Sequence, residues 1–285
     1  MPRWQQRRER LRSVLSGTQC VYPGSVFDPI SARLAEELGF EVGMLAGSVA
    51  SLTVLGAPDL ILLTLTEFAE QAHRICRAGN LPLLCDADHG YGNALNVMRT
   101  VEELETAGVA GMSIEDTELP AAYGGSQPRL ISIEEGIGKM RAALAARRDA
   151  GLIIAGRTSA PAINGMADAI RRAKAYEAAG VDAIFLVGMK SRTDLDAVAA
   201  HIKLPLILGG ASKELMDRDW LAGRGVRICL QGHQPFAAAV RAVYDTLRAL
   251  RDGTPPETLG TMASDEIMKR LTRNEDYARW MKDWL

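Results

Sequence analysis

Eight short apolar runs recur along the chain, each followed by glycine or polar residues and then by a stretch with helical spacing. This alternation limits the possible folds more than any other feature, because it is the pattern of repeated βα units. The runs are CVYPGSVF (20–27), VGMLAG (42–47), LPLLCDAD (81–88), VAGMSIED (109–116), LIIAGRT (152–158), DAIFLVG (182–188), LPLILGG (204–210) and RICLQGH (227–233). Their apolar residues are near-continuous, as in strands buried on both faces of a parallel sheet. Between them DPISARLAEELGF, TEFAEQAHRICRAG, NALNVMRTVEELETAG and DAIRRAKAYEAAG read as helices, with Asp28, Thr66, Asn93 and Asp168 as N-caps and Gly39, Gly79, Gly108 and Gly180 as stops. Eight such units in 285 residues predict a single α/β domain, a (β/α)8 TIM-type barrel over about residues 18–252. RDGTPPE then breaks the pattern, and a charged, Trp-bearing C-terminal helical tail over about 256–285 is expected to dock on something.

Composition narrows the partners. The 33 Lys+Arg and 35 Asp+Glu leave a formal net charge of -2 without a long basic run, which argues against nucleic acid and against an anionic membrane surface. No stretch reaches the ~18 apolar residues of a membrane span, and the opening MPRWQQRRERLR is a polar helical pattern, so a cytoplasmic location is expected. Cys20, Cys76, Cys85 and Cys229 lack CxxC spacing and are expected to stay reduced.

In a barrel of this kind the chemistry sits at the carboxyl ends of the strands. Ionisable and small polar residues cluster there: Ser25 and Asp28, Gly47 and Ser48, Asp86 and Asp88, Glu115 and Asp116, Arg157, and His233. Asp86, Asp88 and Glu115 form an oxygen-only set suited to a hard cation such as Mg²⁺ or Mn²⁺. On an extended strand the two aspartates point the same way, and several like charges in one site call for a cation. A purely capping role for them is less favoured, because Asn93 supplies a better-placed cap. Arg157 offers a fork for a carboxylate or enolate oxygen, or an internal ion pair with Glu115 or Asp88. Gly47 and Ser48, with the amides of Val49 and Ala50, offer a small nest of donors, although GSVAS serves equally as a plain turn. His233 can meet an anionic substrate or be structural. His89 points away from the acidic pair if the chain is extended, and His73 and His201 lie in helical stretches. The GYG at 90–92 and GIGK at 136–139 complete no phosphate-binding loop.

Taken together, DADHGYGN (86–93), IED (114–116), GRT (156–158), SVFDPISARLAEELGF and GSVASL resemble the isocitrate lyase/phosphoenolpyruvate mutase superfamily over nearly the whole chain. The His after DAD, the NALNVMRTVEELE helix and Gln231-Gly232-His233 are most similar to its bacterial oxaloacetate-decarboxylating branch. The resemblance implies a modified α/β barrel with Mg²⁺ bound directly by Asp86 and through water by Asp88 and Glu115. It also implies substrate contacts from Gly47, Ser48, Arg157 and His233, and a homotetramer in which a C-terminal helix is exchanged between paired barrels. The implied reaction is Mg²⁺-dependent decarboxylation of oxaloacetate, or a close β-keto diacid, to pyruvate and CO₂ through a metal-bound enolate. The loop after the fourth strand reads ELPAAYGGSQPR and holds no Cys, His, Lys or Asn, which disfavours the lyase, mutase and phosphonopyruvate hydrolase chemistries. Thr158-Ser159-Ala160 and the LGGAS after the seventh strand also depart from the family pattern and bear on substrate identity. The alternatives are a 2-methylisocitrate or alkylmalate C–C lyase using Tyr123 or His233 as its acid, and a non-catalytic carboxylate-binding barrel.

Overall fold

The computed structural model describes residues 3–125, 127–210, 212–260 and 262–285. Ser126 of the ELPAAYGGSQPR loop and Ala211 of LGGAS lie outside them. The chain divides into two compact units, Met1–Gly232 and His233–Leu285. The expected tail, about 256–285, lies within the second unit, which begins just after the eighth strand.

Each of the eight apolar runs coincides with a strand, the last beginning one residue before its run: β1 Gly24–Ser25, β2 Gly43–Leu45, β3 Leu83–Asp86, β4 Gly111–Glu115, β5 Ile153–Thr158, β6 Ala183–Val187, β7 Leu206–Gly209 and β8 Val226–Cys229. They pair in parallel in chain order. The ring closes where β8 meets Val21: the Val21 N–H donates to the Arg227 carbonyl (2.9 Å) and the Cys229 N–H to the Val21 carbonyl (3.0 Å). This is the TIM-like α/β barrel expected.

Two cores follow from the period-2 alternation of the strands. Met44, Leu84, Ile153, Ala155, Phe185, Ile207 and Ile228 fill the interior, while Leu45, Leu83, Cys85, Met112, Ile154, Leu186 and Leu208 pack outward against the helices. The polar N-terminal helix Arg3–Ser16 is part of the barrel: Leu11 and Leu15 join the interior core. Its Arg8 and Arg12 donate to the carbonyls of Val109 (3.1 Å) and Gly151 (2.9 Å), which satisfies backbone ahead of β4 and β5.

The caps are partly as expected. Asp28 and Asn93 cap the helices Pro29–Glu37 and Ala94–Ala107. For Leu65–Ala78 the cap is Thr64, whose hydroxyl receives the Glu67 N–H, so Thr66 lies one residue inside the helix. Asp168 is also inside its helix, Met166–Ala179, whose N-cap is Gly165; its carboxylate instead receives Asn164, Arg171 and Arg172. The second unit comprises the helices Gln234–Arg251, Asp265–Leu271 and Asn274–Trp284. Among the described residues no helix is long and apolar enough to cross a membrane.

Candidate active site

The alternation that builds the interior core also builds the site. Two residues beyond the inward Leu84 comes Asp86, and two beyond Ala155 comes Arg157, so both continue the inward face at the carboxyl ends of their strands. Register then brings the chemistry together, because Glu115 and Arg157 are direct partners across β4 and β5. The Arg157 guanidinium reaches Asp86 through one terminal nitrogen and Glu115 through the other, the latter at 3.5 Å. It lies over the Phe185 ring, 5.4 Å from the centroid, and its Nε is buried without a partner. Thr117 fixes Glu115 by donating to Oε2 at 2.9 Å, and the Ser113 hydroxyl points to Asp86 Oδ1 at 3.4 Å.

Asp88 arrives by a different route from the one its spacing suggests. β3 ends at Asp86, and Asp88 adopts φ 46°, so strand alternation does not set its direction. Its N–H donates to Asp86 Oδ1 (3.2 Å) and its carbonyl accepts from the Glu115 N–H (2.8 Å), which ties the turn to β4. The carboxylate is pressed against Gly47, where a Cβ would stand only 2.5 Å from Oδ1. Gly47 is therefore required by close approach, and the ends of β2 and β3 meet at that point.

Gly47 and Ser48 open the helix Gly47–Leu55, whose N-cap, Ala46, provides no side-chain cap. The amides of Gly47, Ser48 and Val49 are first-turn donors with no carbonyl one turn back inside the helix, a arrangement that favours an anion. Ala50, expected to join that nest, instead donates to the Ala46 carbonyl at 2.9 Å. His233 lies four residues past β8, at the N-cap position of Gln234–Arg251, and opens the second unit. Tyr123, in the loop after β4, is fully exposed.

Sequence reasoning missed Asp59 and Tyr91. Asp59 is the one charged residue between Glu41 and Glu67, and that isolation in an apolar stretch is the clue that was present. Burial and then the charge of Asp86 raise its carboxyl above the ordinary range. Asp88 is raised further, by burial first and then by Asp86, Glu115 and Asp59. Burial likewise raises Glu115, against the opposing charge of Arg157. Asp86 and Glu115 thus meet the Arg157 guanidinium with Asp88 buried close by, an excess of negative charge over the one cation in a place poor in water, while Asp59 is exposed and adds its charge from the solvent side. Among the described residues no three His, Cys, Asp or Glu side chains converge tightly enough to ligate an ion directly.

Comparisons with known proteins identify the family. The chain is 62% identical over 270 residues, covering 95% of this chain and 94% of its counterpart, to an oxaloacetate decarboxylase of Bradyrhizobium diazoefficiens. It is 60% identical, with the same coverage, to an oxaloacetate decarboxylase of Rhodopseudomonas palustris strain BisB18. The solved structure of a phosphonopyruvate hydrolase in complex with oxalate and Mg²⁺ superposes with a TM-score of 0.88 at 30% identity, over 98% of this chain and 99% of that one. The phosphoenolpyruvate phosphomutase family profile matches residues 11–251, and with those motifs, that barrel and that coverage the chain belongs to this family, within the isocitrate lyase/phosphoenolpyruvate mutase superfamily.

Proposed function

We propose that the protein decarboxylates oxaloacetate to pyruvate and CO₂ with the help of a divalent cation. The observation that carries this is the meeting of Asp86, Asp88, Glu115 and Arg157 at one end of the barrel, in a chain that matches named oxaloacetate decarboxylases over 95% of its length.

The donor set fits a hard divalent ion, Mg²⁺ or Mn²⁺: it is all oxygen, and its buried carboxylates repel one another without a cation. Asp86 would hold the ion directly, and Asp88 and Glu115 would reach it through water. When bound, such an ion supplies a Lewis acid that draws electrons toward the keto oxygen as CO₂ departs.

The remaining work belongs to the chain. The first-turn amides of Gly47, Ser48 and Val49 receive the α-carboxylate, with the Ser48 hydroxyl beside them. Arg157 is held in place by Asp86, Glu115 and the Phe185 ring, and its unpartnered Nε is a donor ready for the charge that develops on the enolate oxygen. His233, just past the eighth strand, is assigned the distal carboxylate. No proton has to be removed before the C–C bond breaks, so a loop of the sequence ELPAAYGGSQPR, without Cys, His or Lys, suits this reaction.

We further propose a homotetramer built from helix-exchanged dimers, on the ground that Gln234–Arg251 exposes Val240, Val243, Tyr244 and Leu247 along one face. The proposed location is the cytoplasm, where thiols such as the four free, buried cysteines remain reduced. A direct assay tests the activity. Purified protein with Mg²⁺ should release pyruvate from oxaloacetate, lose this on chelation and regain it on Mg²⁺ addition, and release no glyoxylate or pyruvate from methylisocitrate. Cleavage of methylisocitrate with inert oxaloacetate would transfer the site to the lyase alternative, and inertness toward both would leave a carboxylate-binding barrel.

A further inference from the structure

The loop DADHGYGN contains a side chain that the scheme above does not use. Tyr91 lies between Gly90 (φ 78°) and Gly92 (φ 147°) and itself adopts φ 58°, a left-handed conformation that disfavours any residue with a Cβ. A Cβ on Gly90 would stand 2.4 Å from Val97, and one on Gly92 2.3 Å from Asn96, so the only side chain of this tripeptide is the phenol. Its ring is held from two sides, by Phe68 (centroids 6.4 Å apart) and His89 (6.1 Å), and it packs against the outer core. The direction of the hydroxyl is therefore fixed. That hydroxyl is buried and has no hydrogen-bond partner, an arrangement that folded proteins rarely leave unexplained.

What surrounds it supplies the explanation. Burial first, and then the charges of Asp88, Asp86, Cys85 and Asp59, hold the phenol protonated far above its ordinary range. It is thus a permanent donor, three residues after Asp88 and five after Asp86 in one loop, that bonds to no protein atom, and a donor left so is of the kind that ordered water satisfies. We propose that Tyr91 is a positioning residue of the cation site, its hydroxyl donating into the hydration shell of the ion that Asp86 and Asp88 hold. The inference rests on the divalent-cation reading given above. In it the protein uses a strained backbone and two glycines to aim a single donor, as outer-shell groups of metal sites are aimed.

The test is Tyr91→Phe, which keeps the ring and its contacts with Phe68 and His89 and removes the oxygen alone. Mg²⁺ affinity is measured by titration calorimetry and Mn²⁺ affinity by electron paramagnetic resonance, on wild type, Tyr91→Phe and Asp86→Asn, with urea unfolding of each in metal-free buffer. The expected result is a dissociation constant raised about tenfold in Tyr91→Phe. Metal-free stability should be unchanged or slightly higher, because a buried unpaired hydroxyl has been deleted. Unchanged affinity in Tyr91→Phe, with Asp86→Asn impaired, overturns the role of Tyr91 and leaves the cation site standing. A matching loss of metal-free stability makes the hydroxyl structural and also overturns it. Failure of wild type to bind either ion, or full affinity in Asp86→Asn, removes the cation reading and the inference with it.

Discussion

His89 shows how the same loop sets chemistry at the level of one residue. Its carbonyl accepts from the Lys139 ammonium at 3.0 Å, while its ring is buried with Nδ1 unpartnered. Burial, and then the positive charge of Lys139, lower the imidazole to about 4, so it is neutral near pH 7. A base whose folded pKa lies below its unfolded value of about 6.5 gives stability that is fully present above pH ~6.5 and is lost as pH falls toward ~4. The loss associated with this group is on the order of 3 kcal/mol. In the same window the raised carboxyls of Asp88 and Glu115 act with the opposite sign, since their folded-state protonation favours the native chain as pH falls. The comparison with His89→Gln isolates the histidine. Urea unfolding between pH 4.5 and 7.5 in metal-free buffer should show wild type losing stability relative to the variant on acidification; parallel curves would mean that the imidazole is not held neutral.

At the scale of elements, the root of the loop after β4 is tied down by a buried network. The Asp116 carboxylate, wholly inaccessible, accepts from Tyr176 (2.7 Å) and Arg172 (3.0 Å), and Arg172 also donates to the Ile131 carbonyl (2.9 Å). The Ile131 N–H donates to the Asp116 carbonyl and the Glu118 N–H to that of Arg129, so both ends of the loop are pinned across from each other. Arg172→Met leaves the Asp116 charge buried without its cation and should cost about 3–5 kcal/mol. It should also speed tryptic cleavage at the exposed Arg129, and adding Asp116→Leu should restore most of the stability; no loss in the single variant would show the network to be dispensable. None of this network was legible from the sequence, because it joins β4 to a helix some fifty residues away. The strands were legible, since residues covered on both faces read as apolar runs whatever their neighbours, and so were Asp86 and Arg157, which extend the inward face. Asp88 was expected to follow strand alternation and does not: a left-handed turn is invisible to alternation. The N-terminal helix was read as polar because its buried apolar stripe is narrow, Leu11 and Leu15, and lies beside the buried Arg7 and Arg8, while Arg8 and Arg12 serve carbonyls at the base of the barrel.

For the whole molecule, the question is what covers Gln234–Arg251. Val240, Val243, Tyr244 and Leu247 follow the i, i+3, i+4, i+7 spacing of one helical face, and each is more than half exposed. An apolar stripe of this length is stable in water when a partner surface takes it, and burial contributes about 1.5–3 kcal/mol for each large side chain. If a second copy provides that surface, then Val243→Glu with Leu247→Glu places two charges in the seam and should disperse the assembly. Sedimentation velocity should then show a species smaller than wild type, with the helix retained because glutamate is a good helix former. Mg²⁺ affinity should change less than about twofold, since Asp86, Asp88 and Glu115 all belong to the first unit. A variant that sediments as wild type would show that the stripe is not an interface between copies.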